Sequence, residues 1–226
     1  MKPRHFLTLL ATSATALVLH PTAARAVTTN LSPTSAFRIG TWAPDLHDTS
    51  LLSVYNIPAD NTQHSILLFD FSSLPGGVVI DSAVLTLYKY GGWEQPTGTQ
   101  SEVSALAVPW DASATWNNAS VGNPWTTPGG DVTGAAYATN SEVIGAGYLP
   151  VTWDVTSLIA AWTSGSLPNY GLLLSANPGD SLHFDPLSPT LTISYVPEPA
   201  SAMLLLFGTA LCVRRRRLGT QGRSAD

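Results

Sequence analysis

Residues 190–196, Thr-Leu-Thr-Ile-Ser-Tyr-Val, alternate polar and apolar side chains without a break. Successive side chains of an extended strand point to opposite faces, so a period of two marks a half-buried β-strand and excludes a helix. Val151-Thr152-Trp153-Asp154-Val155 repeats the pattern, and Ala83-Val84-Leu85-Thr86-Leu87-Tyr88 is a run of strand formers. Residues 66–71 are more continuously apolar, as in a central strand covered on both faces. Between the runs stand Leu74-Pro75-Gly76-Gly77, Gly91-Gly92, Pro128-Gly129-Gly130 and Asn177-Pro178-Gly179-Asp180. These residues supply the φ values that tight turns need. Many short strands with such punctuation predict an all-β sandwich or barrel. One segment predicts a short helix: Asp154 or Thr156 caps it, Leu158, Ile159 and Trp162 share a face, and Gly165 closes it. Residues 113–148, rich in Ser, Thr, Asn, Gly and Ala, predict long loops with a weak strand or two.

The two ends read differently. Lys2 and Arg4 precede an apolar run from Phe6 to Leu19, and Ala24-Arg25-Ala26 offers a small-x-small cleavage pattern. That is the layout of a secretory signal peptide, residues 1–26, cut after Ala26. Near the other end, Pro197-Glu198-Pro199 is followed by fourteen uncharged residues, Ala200–Val213, and then by Arg214, Arg215, Arg216 and Arg217. As a helix that stretch is about 21 Å long, short of the ~30 Å bilayer core. Snorkelling arginines and local thinning make up the difference, and the arginines stay cytoplasmic. The expected organisation is therefore a signal peptide (1–26), an exported domain (27–196), a sorting or anchoring segment with a transmembrane helix (197–217) and a cytoplasmic tail (218–226).

Composition narrows what the exported domain can do. Within 27–196 the basic side chains are Arg38 and Lys89, against thirteen carboxylates, a net charge of −11. No basic patch exists to release counterions, so nucleic acid is excluded as a partner. Acidic polysaccharide is repelled unless a cation bridges it. The single cysteine, Cys212, lies in the tail, which excludes thiol chemistry, zinc–thiolate sites and disulfides from the domain.

Two resemblances add to this reading. The order Pro197-Glu198-Pro199, apolar helix, arginine cluster resembles the PEP-CTERM sorting signal of Gram-negative bacteria. It implies processing at that motif by an exosortase, an inner-membrane-anchored precursor and a link to exopolysaccharide. The exported domain resembles the DNRLRE type in four segments. These are Leu67–Pro75 with Ile80–Tyr88, then Trp110 with Ala114–Asn118, then Asp154–Thr156 with Trp162, Gly165 and Asn169–Leu174, and finally Pro189–Tyr195. His64-Ser65 stands where a basic residue is usual in that family, and Ala112 or Ser113 where an acid is. This resemblance implies a jelly-roll-like antiparallel β-sandwich related to carbohydrate-binding modules, placed at the cell surface or in the extracellular matrix.

Seven tryptophans carry the candidate binding chemistry, because indoles offer flat apolar area to the C–H faces of sugar rings. Trp42, Trp93 and Trp125 sit in Gly/Pro-rich loops and form the expected platform, although core packing competes at each. Trp153 and Trp162 fall on periodic apolar faces and are expected in the core, and Trp110 and Trp116 are expected to be structural. Asp45, Asp48 and Asp180 in polar loops are candidate ligands for a structural Ca²⁺, against a plain solvated acidic surface. No cofactor is otherwise implied. His47, His64 and His183 are too scattered for a zinc set, and no G-x-S-x-G elbow occurs. The expected function is non-catalytic binding of polysaccharide or a matrix component. The alternatives are a glycan-cleaving enzyme using paired carboxylates and a ligand-free structural surface protein.

Overall fold

A strand of alternating side chains can bury only one face alone, so these segments must pair and then stack. The computed structural model describes residues 25–57, 61–91, 100–140 and 147–197, with the side chains of Tyr90 and Gly91 not described. Its strands in chain order are β1 (Val27–Leu31), β2 (Ser35–Gly40), β3 (His47–Asp48), β4 (Leu52–Ile57), β5 (Asn61–Leu68), β6 (Val79–Gly91) and β7 (Ser101–Ala105). Then come β8 (Asn118–Ser120), β9 (Asn123–Pro124), β10 (Ala138–Asn140) and β11 (Leu149–Asp154). The single helix among the described residues, α1 (Thr156–Thr163), precedes β12 (Leu172–Ala176), β13 (Ser181–Phe184) and β14 (Thr190–Val196).

Every pairing among these strands is antiparallel, so the protein is all-β with one short helix. Twelve strands join in the order β1-β14-β6-β13-β4-β5-β12-β7-β10, with β11 on β6, and with β2 on β5 and β3 on β2. β8 and β9 form a separate ribbon. The path bends at β5. Gln63 pairs with both Tyr55 and Gly40, so β4 and β2 lie on opposite edges there. β4 then leaves, and β12 takes its place along Ser65–Leu67. Where the ladder is lost, the Ser65 hydroxyl accepts from Ser53 N at 2.9 Å and donates to Ser53 O at 2.8 Å. That side chain satisfies backbone groups that the departing strand would otherwise bury unpaired.

One core lies between the two halves of the path. It takes Leu85 and Leu87 from β6, Trp153 from β11, Phe184 from β13, Leu67 from β5, Leu174 from β12 and Ile193 from β14. α1 closes it with Leu158, Ile159 and Trp162. A second, smaller core covers the opposite face of β2, β5 and β12, with Phe37, Ile39, Ile66 and Leu173 packed under Leu106, Ala114, Ala119 and Trp125. β5 is thus covered on both faces, as its apolar run predicts.

The helix differs from expectation at its start. The N-cap position is Val155, with no side-chain cap, and Asp154 accepts from Thr156 N and Oγ1 one residue earlier. Gly165 ends it as predicted, with φ of 74° just past the last turn. Val27 pairs with Tyr195, so the first and last strands meet at one corner. No helix among the described residues is long and apolar enough to cross a membrane. Residues 1–24 of the predicted signal peptide and the predicted tail helix, with Ala24, Glu198, Pro199 and Arg214–Arg217, lie outside the described residues. Ala26 is exposed and Pro197 half-buried.

Candidate functional site

The end of β2 builds the first exposed aromatic platform. Past Gly40 the chain turns, with Thr41 N donating to Thr62 O and Thr62 N to Thr41 Oγ1. Trp42 folds back over the strand it has left. Its ring centroid lies 5.2 Å from the Arg38 guanidinium carbon, a cation–π arrangement. A Cβ at Gly40 would come within 2.6 Å of Trp42 Nε1 and 2.9 Å of Gln63 Cγ, so the missing side chain is what lets the indole lie down. Trp42 remains 46% exposed. The result is a flat ring held from beneath and open above.

The support is itself fixed. Arg38 donates through Nε and Nη2 to Asp48 Oδ2, at 3.0 and 2.6 Å, and through Nη1 to Gln63 Oε1 at 3.2 Å. Ser53 Oγ donates to the same Gln63 oxygen. Asp48 Oδ1 accepts from Ser50 N and Oγ. Partial burial pushes the Asp48 carboxyl up, but the bonds from Ser50 and Arg38 outweigh it and hold the group below its ordinary value. A partly enclosed guanidinium with two N–H groups on one Asp48 oxygen and a third on Gln63 loses its freedom to swing, which gives the indole above it a fixed seat.

The other predicted residues scatter. Trp125 is a correction: its indole is 4% exposed and donates through Nε1 to Thr115 O at 2.9 Å. The outer face of β5 and β12 is apolar and needs a lid, and Trp125 is part of it. Trp93 lies outside the described residues. Asp45 accepts from Asn117 Nδ2, which ties its loop to the 115–118 turn. Asp180 is buried and accepts from Gln100 N at 2.9 Å. Asp45, Asp48 and Asp180 do not assemble, and among the described residues no three of His, Cys, Asp and Glu come together to hold a metal ion. Trp153 and Trp162 are core residues, while Trp110 and Trp116 pack against the second core.

A second aromatic surface escaped the sequence reading. Tyr88 of β6 and Tyr148, just before β11, stack with centroids 5.0 Å apart and an 18° angle. Tyr148 is 56% exposed and its hydroxyl donates to Asp185 Oδ2 at 2.9 Å. That bond, more than burial, raises the Tyr148 pKa above the ordinary phenol value. Asp185 is fixed in turn, with Leu187 N donating to its Oδ1 and its own N donating to Tyr88 O. One half of this was visible beforehand. Ala83, Leu85 and Leu87 face the core, so alternation puts Tyr88 on the other side. The partner was not, because only the register Pro150↔Tyr88 brings Tyr148 alongside.

No family model and no curated protein matches the chain. The site is therefore interpreted through its own chemistry. Two fixed, solvent-facing aromatic surfaces, each flanked by a hydrogen-bonded carboxylate, suit the apolar faces and hydroxyl rims of sugars.

Proposed function

We propose that this protein is an exported, non-catalytic component of the cell surface or extracellular matrix that binds polysaccharide through exposed aromatic rings. In this reading the described domain is a jelly-roll-like β-sandwich of the DNRLRE type. Residues 1–26 direct export, and residues 197–217 form a PEP-CTERM signal that holds the precursor in the inner membrane until an exosortase processes it. The observation that carries the binding role is Trp42: a large apolar ring, open to solvent yet seated on Arg38, whose guanidinium is held by Asp48 and Gln63, with Gly40 leaving room for the ring to lie down. Leaving an indole exposed forgoes the stabilisation that burial would bring, so its immobilisation favours a ligand.

The test is a glycan array probed with the full-length chain and with Trp42→Ala. Binding lost in the variant supports the reading. Equal signals from both, or none from either, sink it. Mass analysis of the mature protein from the producing cell addresses the sorting proposal separately, since retention of Arg214–Arg217 contradicts processing.

A further inference from the structure

We propose that Tyr88, Tyr148 and Asp185 form a second subsite, and that with Trp42 they make one extended surface for a neutral polysaccharide chain. This inference rests on the reading of Trp42 as a glycan platform and adds the class and length of the ligand.

The link between the two surfaces is β13. Leu182 and Phe184 face the main core, so His183 lies on the other side of the strand. At that position His183 pairs with Ser53 of β4 on one edge and Gly91 of β6 on the other. Ser53 belongs to the Arg38–Gln63 network under Trp42. Asp185, two residues beyond His183, belongs to the Tyr88–Tyr148 surface. Two residues along a strand span about 7 Å, and β4 and β6 flank β13 with about 10 Å between their axes. Trp42 rests on the network that reaches Ser53 at one end and Tyr148 bonds Asp185 at the other, so a ligand touching both is a chain of several sugars.

The chemistry selects an uncharged one. The Arg38 and Asp48 charges offset each other in one ion pair, and Asp185 brings negative charge to the other end. A domain with a net charge of −11 repels polyanions. Tyr88, Tyr148 and Leu149 are exposed, and Leu187 is 93% exposed beside Asp185. The stacked pair, with Tyr88 on β6 and Tyr148 tied to Asp185, has little rotamer freedom to lose and offers the ring surface left outside the stack. Each Asp185 oxygen accepts one bond from the protein and keeps a lone pair for a sugar hydroxyl.

The experiment is affinity electrophoresis of the detergent-purified full-length chain against a soluble β-glucan, a galactomannan and an α-glucan, with titration of the matching disaccharides. The wild type is expected to bind one polymer and to bind its disaccharide far more weakly. Tyr148→Ala and Tyr88→Ala should each weaken polymer binding by about tenfold. Tyr148→Phe, which keeps the ring and loses the Asp185 bond, should weaken it less. Melting temperatures establish that each variant is folded, and if Tyr88→Ala is not, Tyr148→Ala and Asp185→Asn decide. Polymer binding that Trp42→Ala removes but the folded Tyr148 and Asp185 variants leave untouched overturns the second subsite and leaves the Trp42 reading standing. A wild type that binds none of the polymers overturns both.

Discussion

Gly40 carries no unusual backbone angle, yet it decides whether Trp42 can lie flat. A methyl group there meets the indole at 2.6 Å. Since Trp42 is exposed, the ring can swing away, so Gly40→Ala should cost stability only about 1 kcal/mol, below a typical overpacked core. Its effect should fall on the ring: a red-shifted Trp emission and weaker glycan binding are expected. A variant that keeps both wild-type binding and emission contradicts the clamp. Ser65 makes the opposite case. Removing its hydroxyl leaves Ser53 N and O buried without partners, so Ser65→Ala should lose about 2–3 kcal/mol in urea unfolding. His64 adds a pH dependence. It packs on Trp116 at 5.0 Å, and its Nδ1 is 2.8 Å from Gly129 O. Burial lowers its pKa from 6.5, partly offset by the Gly129 bond. The unfolded chain therefore binds a proton at higher pH than the folded chain does. The His64 contribution is complete above pH 6.5 and disappears as pH falls toward the depressed folded value. His183, lowered by burial and then by the Arg38 charge, acts in the same direction. The melting temperature should fall between pH 7 and 5, and less steeply in His64→Gln. An unchanged slope in that variant assigns the effect elsewhere.

Among elements, legibility followed how local each cause was. β14 coincides with the alternating run at 190–196, and β5 shows the two-sided burial of a continuous apolar run. Gly165 ended the helix where a left-handed residue is needed. The cover over β5 and β12 was less legible. Residues 106–133 contribute a two-residue-wide ribbon and turns, yet they bury Trp125 and pack Trp110 and Trp116. Polar loop composition pointed to solvent there, whereas the apolar outer face of the sheet required a lid. Gly129 shows how tightly that lid fits: its φ is 96° and a Cβ would press within 2.6 Å of the Trp116 ring. Strain and clash together predict that Gly129→Ala destabilises by about 2–3 kcal/mol. Denaturant unfolding followed by Trp fluorescence would show it. A loss below 0.5 kcal/mol would mean the lid is looser than its geometry.

For the molecule as a whole, charge is the property most open to test. A net −11 over residues 27–196 should make the protein bind a carboxylated polymer about tenfold more weakly than the neutral parent at low salt. Raising the salt should narrow the gap, because screening acts on repulsion between exposed charges. Equal affinities at low salt would show that the binding face does not sense the domain's charge. The sequence alone determined the all-β class, the strands at 83–88, 151–155 and 190–196, the turns at 74–77, 128–130 and 177–180 and the acidic balance, because each depends on neighbours within a few residues or on simple counts. Only the tertiary structure decided which aromatic rings stay outside. Trp42 and Trp125 sit in similar Gly/Pro-rich surroundings, yet one rests on Arg38 in solvent and the other seals an apolar sheet. Tyr148 meets Tyr88 only through strand register. Exposure depends on what distant strands leave uncovered, and that information is absent from any short window of the chain.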